Sequence, residues 1–430
     1  MRFGLTRGGA IGWAALAAAI LPPQTPAPAP QATFRGGVDL IAVEVQVVDG
    51  NGQPITPLAS DKFEVTIDGR RRRVASVDLV QMPAAGAAGP TRPLAPGPAA
   101  TNTWAPRDEP GRTFIIAMDV GSFESGDTAP IVQAVRGFVD RMAPEDRVGV
   151  FTLPPVGPRV DPSVDRTGVR IALDRIAGQR QSLASQFNLS TSEIIDINSE
   201  TGGLGAPAAG STAAGQDTLR RVQARECRNV TDLGCVESIV NEAGALGQHL
   251  EERAIQSLQG LRDLLTALRT YPGRKTVVVV SSGIAVSDRP GGRIDIGDQA
   301  KALGEGAAHA NATIYAVHID AGLSKSYSAQ SRRARDAGSL ERERRLSARL
   351  LEQFADASGG TVVPVLAGSG DIALDRVLRE TSSYYLLGVE PADMDRDGRA
   401  HRLTVKIGQR GALVRSRQWV VLSKASGSKP

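Results

Sequence analysis

Residues 112–119 (RTFIIAMD) constrain the fold of this chain more than any other stretch. They form an apolar run that ends on the carboxylate of Asp119, and a loop of small residues follows. A buried parallel strand has this pattern because helices cover both faces of its sheet. The run therefore predicts an open α/β sheet with Asp119 at its carboxyl edge, where such sheets bind ligands. A helix-capping or loop-bracing role is the alternative for Asp119.

Strands and helices alternate after this run. Further strands are predicted at 147–153, 276–281, 313–319, 361–365 and 384–389. Apolar spacings of three and four predict helices at about 130–142, 169–176, 246–268, 298–311, 340–357 and 371–381. The alternation predicts a doubly wound, mostly parallel sheet within residues 112–390. Residues from about 180 to 240 interrupt it with Ser, Thr, Gly and Ala, and we interpret them as an insertion.

The N-terminal region, residues 35–80, is predicted to be a small β unit. Residues 38–48 alternate apolar and polar side chains, as in a half-buried strand. A hairpin is predicted next, in which 63–67 pairs with 74–80 across an Asp-Gly turn. Residues 81–111, rich in Pro, Ala and Gly, follow as a linker.

The C-terminal region, residues 391–430, returns to β character with runs at 402–407 and 413–422. Neither end of the chain is large enough to be stable alone, because a sheet must bury its apolar face and pair or cover its edges. We therefore predict that strands from both ends join in one small β-sandwich, with the α/β domain inserted between them.

The first residues are similar to an export signal. Arg2 and Arg7 precede an apolar stretch from Ala10 to Leu21, which is too short to span a bilayer but suits a signal peptide. A Pro/Ala-rich linker continues to about residue 32. We expect a secreted or periplasmic protein, with no membrane-spanning segment after the signal.

The chain has two cysteines, Cys227 and Cys235. In an oxidising compartment, an even count at close spacing predicts one disulfide. Zinc is a poorer interpretation, because neither a second Cys pair nor a spaced His pair accompanies them. The net charge is +4, from 50 basic and 46 acidic side chains, which is too balanced to indicate a nucleic-acid partner.

This order of elements resembles a von Willebrand factor type A (VWA) domain, and more closely the bacterial VWFA-related exported proteins. The matching stretches are VEVQVVDGNGQPITPLASDKFEVTIDG, TFIIAMDVGS, GRKTVVVVSSG, IYAVHID and SSYYLLGVEP. The resemblance extends over nearly all of residues 35–422, and it depends on the order of the motifs more than on any one of them. It implies a VWA fold in residues 112–390 and an exported, non-enzymatic protein that binds another protein.

VWA domains often carry a metal-ion-dependent adhesion site, with an Asp-x-Ser-x-Ser loop, a Thr from a second loop and a Thr-Asp-Gly turn. The Mg²⁺ ion takes six oxygens and leaves one position for a partner's carboxylate. Asp119 matches the leading acid, but the two loop serines fall on Gly121 and Phe123. The Thr-Asp-Gly turn is replaced by Ser-Ser-Gly at 281–283.

We therefore expect a degenerate site, with Asp119, Ser122 and Ser282 as its remaining candidate ligands, in a protein that needs no cofactor. The alternative is an adhesion protein that binds Mg²⁺ through Asp119. The second-loop threonine is expected between residues 180 and 215. The candidates there are Ser182, Thr191, Thr201 and Thr212.

Two further patterns carry weaker hypotheses. An exported hydrolase would use a serine at 281–283, but this turn lacks the Gly-x-Ser-x-Gly of a nucleophile elbow, so a strand-end turn is preferred. DMDRDG at 393–398 resembles the start of a calcium loop, but its twelfth position is Thr404 and a strand follows. We expect a solvated β-turn there, and Ca²⁺ less than Mg²⁺.

Overall fold

The computed structural model describes residues 40–82, 111–181, 185–201, 213–229, 231–288, 299–320, 337–365 and 370–422. It contains a mostly parallel six-stranded sheet and two antiparallel four-stranded sheets. The predicted α/β class is therefore confirmed. The predicted signal segment and its linker, and most of the linker at 81–111, lie outside the described residues.

The strands, in chain order, are β1 (Ile41–Val48), β2 (Phe63–Ile67), β3 (Arg70–Arg72), β4 (Val74–Gln81), β5 (Thr113–Asp119), β6 (Arg147–Leu153), β7 (Val160–Ser163), β8 (Lys275–Ser281), β9 (Ala312–Ile319), β10 (Val362–Val365), β11 (Ser383–Val389), β12 (Ala400–Ile407), β13 (Leu413–Ser416) and β14 (Trp419–Val421). The helices are α1 (Thr128–Asp140), α2 (Thr167–Asp174), α3 (Thr191–Thr201), α4 (Ala213–Glu226), α5 (Leu233–Leu268), α6 (Gln299–His309), α7 (Ala337–Ser358) and α8 (Gly370–Glu380).

The six-stranded sheet has the order β10-β9-β8-β5-β6-β7, and β7 is its antiparallel edge strand. Alternate residues of β5 point into two separate cores. Phe114, Ile116 and Met118 pack in one core with apolar residues of α1, α2 and α8. Ile115 and Ala117 pack in the other with residues of α5, α6 and α7. Helices therefore cover both faces, which explains the continuous apolar run in the sequence.

The two antiparallel sheets have the orders β13-β1-β11-β4 and β14-β12-β2-β3. Both contain strands from the two ends of the chain, since β1 pairs with β13 and β12 pairs with β2. Their inward side chains share one apolar cluster, to which both sheets contribute. The N-terminal and C-terminal strands thus form joint sheets, as the sequence predicts.

Strand β11 does not join the parallel sheet, although the alternation of strands and helices predicts that it does. It lies between β1 and β4 and is antiparallel to both. Its inward residues Tyr385 and Leu387 enter the cluster that the two antiparallel sheets share. On its other face Leu386 is also buried, and the Arg274 guanidinium lies 4.9 Å from the Tyr384 ring centroid. A strand covered on both faces has an apolar sequence in a parallel sheet and in an antiparallel sheet alike, so this pattern does not distinguish the two.

The predicted hairpin has a different second strand. Asp68 and Gly69 have φ angles of 48° and 77°, which suit a tight two-residue turn, and this turn pairs β2 with β3. Strand β4 crosses to the other antiparallel sheet instead and pairs with β11. The run predicted at 413–422 is likewise divided between two sheets, as β13 and β14.

Within residues 180–240 the described residues include helices, although no regular pattern predicts them there. Helix α5 begins at Leu233, about 13 residues before the predicted start, and Asp232 caps it by accepting a hydrogen bond from the Cys235 amide at 3.1 Å. Helices α3, α4 and the first part of α5 surround a small apolar cluster of Phe187, Leu189, Ile194, Ile197, Val222, Ile239, Val240, Ala243 and Leu246. This region therefore has its own core.

A disulfide joins Cys227 to Cys235, as predicted, with the two Cα atoms 6.1 Å apart. It connects the end of α4 to the start of α5. None of the helices in the described ranges is both long and apolar enough to cross a membrane.

Polar contacts attach the antiparallel sheets to the α/β region. Tyr315 Oη on β9 donates a hydrogen bond to Gln46 Oε1 on β1 at 2.7 Å. Glu380, at the end of α8, has no solvent exposure and lies 2.8 Å from Arg376 Nε and 3.6 Å from Arg415 Nε. Because one of these arginines comes from α8 and the other from β13, Glu380 joins the two parts of the molecule.

Candidate functional site

The candidate site lies at the carboxyl edge of the parallel sheet, where β5 ends between β6 and β8. Asp119 closes β5, and its side chain is only 1% exposed. Its carboxylate accepts hydrogen bonds from Ser281 Oγ at 2.6 Å and from Ser257 Oγ at 3.0 Å. Ser281 is the last residue of β8, and Ser257 comes from the middle of α5. Three separate elements therefore meet at this carboxylate.

The structure also brings Ser122 and Ser282 to this edge. Ser122 Oγ donates to the backbone oxygen of Asp119 at 2.7 Å and accepts from the Ser282 amide at 2.9 Å. Ser282 Oγ donates to the backbone oxygen of Ser122 at 2.5 Å. The three candidate ligands predicted from the sequence thus lie together. The two hydroxyls tie the loop after β5 to the loop after β8.

Burial raises the pKa of Asp119 to about 6, because an ionised carboxylate loses its hydration there. The Ser281 and Ser257 hydrogen bonds and the positive charge of Arg253 oppose this shift, since each stabilises the ionised form. Asp119 is therefore mostly ionised at neutral pH and becomes protonated in mild acid.

A small half-open cavity lies beside Asp119, with a volume of about 20 Å³. This is enough for one water-sized occupant. The residues that line it include Asp119, Gly121, Ser122, Leu250, Arg253 and Ser257.

Arg253 gives this cavity a fixed positive charge. It stands one helical turn before Ser257 on α5, and its Nε is buried without a hydrogen-bond partner in the part of the chain that the structure describes. Burial lowers the pKa of its guanidinium, and so does the nearby charge of Arg180, whereas Asp119 raises it. Arg180 itself lies 3.6 Å from Glu124.

These residues do not fit Mg²⁺, which requires near-octahedral coordination by six oxygens. Asp119 is the one carboxylate among the residues that line the cavity, and both of its oxygens already accept hydroxyl hydrogen bonds. A guanidinium lines the same cavity and repels a second cation. The described residues also contain no cluster of three His, Cys, Asp or Glu side chains that could hold a metal ion.

The second-loop candidates do not complete such a site. Thr191 and Thr201 are the first and last residues of α3, and Thr191 is not among the residues that line the cavity. Ser182 and Thr212 lie outside the described residues.

The calcium-like segment is a short 3-10 turn, Asp393–Asp395, and β12 follows it. Asp395 is buried, contrary to the expected solvated turn, because it accepts hydrogen bonds from Arg72 Nε at 2.7 Å and Nη2 at 2.6 Å. His401 Nε2 lies 2.9 Å from Asp397 Oδ1. Two of the three carboxylates in this segment are therefore paired with basic side chains.

The serine at the end of β8 has no feature of a nucleophile. Ser281 is fully buried and donates its proton to Asp119. His318 lies on the neighbouring strand, but its Nε2 is 3.2 Å from Ser347 Oγ on α7. In the described residues no imidazole is seen hydrogen-bonded to the Ser281 hydroxyl, so a serine activated by histidine is not formed there.

The predicted binding site does not include Arg253, Ser257 or Ser281, although Ser281 belongs to the turn considered for a hydrolase. A signal for Ser257 is present, because it lies on the apolar stripe of α5 between Ala254 and Leu258. A hydroxyl in such a stripe requires a buried partner, and that partner is Asp119. No protein-family model matches this chain, and no curated protein matches it either.

Proposed function

We propose that this chain is a VWA-like protein that binds another protein at the carboxyl edge of its parallel sheet, without catalysis and without a metal ion. The observation that best supports this proposal is that both oxygens of the Asp119 carboxylate accept hydrogen bonds from within the chain. The resemblance aligns this carboxylate with the adhesion-site acid, and the donors to its two oxygens are Ser281 and Ser257. A cavity remains beside it, so the edge has space for a group from a partner.

The arrangement favours binding over catalysis. Asp119 is buried and shares hydrogen bonds with two hydroxyls, so it does not present a free carboxylate to a substrate. The Ser281 hydroxyl is already engaged as the hydrogen-bond donor in the same contact. The hydrolase hypothesis therefore has no support from this edge.

We propose a secreted or periplasmic location. The residues that support it are the basic and apolar N-terminal segment, similar to an export signal, and the Cys227–Cys235 disulfide. Disulfides persist in oxidising compartments, and an exported chain enters one.

Affinity capture from the native cell envelope tests the binding function. Gly121→Gln puts a side chain on the cavity wall, where a Cβ makes only ordinary contacts, 3.4 Å from Pro154 Cδ and 3.7 Å from Asp119 Oδ1. Gly126→Gln is the matched control in the next loop, because nothing lies within 4 Å of its added Cβ. In EDTA, we expect the wild type and Gly126→Gln to retain a partner that Gly121→Gln loses. Equal retention by both variants would contradict binding at this edge.

An adhesion protein that binds Mg²⁺ through Asp119 is the second candidate, because one carboxylate and two serine hydroxyls line the cavity, although the Arg253 guanidinium beside them opposes a cation. Thermal melts in EDTA and in millimolar Mg²⁺ separate the two. We expect the melts to coincide, because a ligand stabilises only a fold that binds it. Stabilisation of several degrees by Mg²⁺, abolished in Asp119→Ala, would establish the metal-dependent function instead.

A further inference from the structure

We propose that Arg253 takes the place of the metal ion at this edge, and that the cavity receives the side-chain carboxylate of an Asp or Glu from the partner protein. This inference rests on the proposed function, because it names the group that the binding edge recognises. It assigns to Arg253 the positive charge that an adhesion site obtains from Mg²⁺.

The position of Arg253 supports this assignment. It lines the same cavity as Asp119, Ser122 and Ser257, at the loops where the sheet ends. Its positive charge lowers the pKa of Asp119, in the direction opposite to the larger effect of burial. The cation is therefore part of the chain and is always present.

The hydrogen bonding of Arg253 leaves a donor for a ligand. Its Nε is buried and has no partner among the described residues. A buried donor without an acceptor loses the free energy of its hydration and gains nothing in return. The Asp119 oxygens accept from serines, and neither of them is hydrogen-bonded to this Nε. An acceptor on a ligand that enters the cavity would form the missing hydrogen bond with Arg253 Nε.

The charge and size of the site favour a carboxylate. Guanidinium groups bind carboxylates through two parallel hydrogen bonds, which matches a planar anion with two oxygens. The cavity is half-open and has room for one oxygen-sized group, since its volume is about 20 Å³, so one oxygen of a carboxylate would enter it while the other stays at the open side. A dianion would also be repelled more than a monoanion by Asp119 on the same wall.

Titration of the full-length protein with sodium acetate tests the inference directly, at an ionic strength held constant with sodium chloride. The probe is the NMR cross-peak of the Arg253 Nε–H group, assigned by its loss in Arg253→Gln. We expect a saturable shift with acetate and none with acetamide, which has nearly the same shape without the charge. No saturable shift with acetate, the same shift with acetamide, or a saturable shift with Mg²⁺ would each overturn the inference.

Partner capture provides a second test, in which failure of the inference and failure of the proposed function differ. We expect Arg253→Gln to weaken retention of the partner at least tenfold and Arg253→Lys to weaken it less. Arg262→Gln is the control, because nine residues place Arg262 on the opposite face of α5. Full retention by a folded Arg253→Gln variant would overturn the inference and leave the binding function standing. If the wild type retains no partner that Gly121→Gln loses, the proposed function fails, while the acetate titration still decides whether the cavity binds carboxylates.

Discussion

At the scale of single residues, Gly283 shows how closely the elements pack at the candidate site. Its φ is +102°, and an added Cβ would lie 2.5 Å from Ser347 Cβ and 2.8 Å from the Ser347 backbone oxygen. The Ile284 amide also donates to that oxygen, at 3.0 Å. Glycine is therefore required here for two independent reasons, backbone conformation and space.

Gly283→Ala should destabilise the fold by about 2–4 kcal/mol, because it combines a strained backbone with a steric overlap in packed structure. The measurement is the urea midpoint at constant m-value. Gly408→Ala is the control, since nothing lies within 4 Å of its added Cβ. If both variants unfold at the same urea concentration, the close approach of α7 is wrong.

A second residue-scale prediction concerns His401. Its Nδ1 lies 2.8 Å from Asp68 and its Nε2 lies 2.9 Å from Asp397. Burial lowers the pKa of His401, but the two carboxylates outweigh it and the net shift is upward. Hydrogen bonds lower the pKa of Asp68, chiefly the one with His401, and that of Asp397, chiefly the one from the Arg399 amide.

The signs of these shifts define a pH window. The raised His401 pKa adds stability that is fully present below its unfolded value of about 6.5 and is lost as the pH rises through the folded value. The lowered Asp pKa values add stability above about 3.9, which is lost as the pH falls. His401→Gln should therefore reduce the free energy of unfolding more at about pH 5.5 than at about pH 9. Denaturant titration at both values tests this, and an equal loss would refute the charged cluster.

The residue scale also shows what the sequence could and could not predict about the site. Asp119 and Ser282 were identifiable because each follows an apolar strand, and the carboxyl ends of parallel strands meet at one edge. Arg253 and Ser257 come from a helix more than 130 positions after Asp119 in the chain. Their contact with it depends on how α5 crosses the sheet, which helical periodicity does not specify.

At the scale of elements, the junction between α8 and β13 depends on one buried carboxylate. Glu380 has no solvent exposure and lies between Arg376 and Arg415. Removing one partner of a buried ion pair leaves the other charges unpaired, which costs more than the pair itself contributes.

Glu380→Gln should therefore destabilise the protein by about 3 kcal/mol. Glu390→Gln is the control, because Glu390 pairs at 3.0 Å with a largely exposed Arg73 and surface pairs contribute about 0–1 kcal/mol. The two free energies of unfolding from urea titration give the comparison. A loss at Glu380 no larger than at Glu390 would show that the junction does not depend on this charge.

The sequence predicts some of the elements and strand partners but not others. The apolar runs predict β5, β6, β8, β9 and β10 of the parallel sheet, but not its edge strand β7, which has no fully buried residue. The leucine stripe predicts α5. The pairing of β2 with β3 is not predictable in this way, since the three-residue strand Arg70–Arg72 has no apolar pattern of its own. The pairing depends on the Asp68-Gly69 turn, because a two-residue loop joins adjacent antiparallel strands.

At the scale of the whole molecule, both antiparallel sheets are assembled from distant parts of the chain. That the two chain ends cooperate was predictable, because neither has enough strands to bury an apolar face alone. Which strands pair was not predictable, since β11 is covered on both faces and so has the pattern of a parallel strand. The α/β class itself followed from periodicity alone.

Deleting residues 400–430 should expose the N-terminal strands selectively. The deletion removes one partner of β2 and one partner of β1, while β2 keeps β3 and β1 keeps β11. We expect faster hydrogen exchange in Phe63–Ile67, a smaller increase in Ile41–Val48, and unchanged protection in Thr113–Asp119. Full protection of Phe63–Ile67 after the deletion would mean that the two ends fold independently.

The pairing of β1 with β11 also determines how long β1 remains unpaired while the chain is synthesised. Val43 pairs with Leu387, so the first strand to leave the ribosome cannot pair until nearly the whole chain has followed. At about 5–20 residues per second, that interval is on the order of tens of seconds. Throughout it, β1 carries unpaired backbone groups and an apolar face, the features that recruit other unfolded chains. This strand therefore stays unpaired during synthesis for far longer than the strands of the parallel sheet, which pair within a shorter span of the chain.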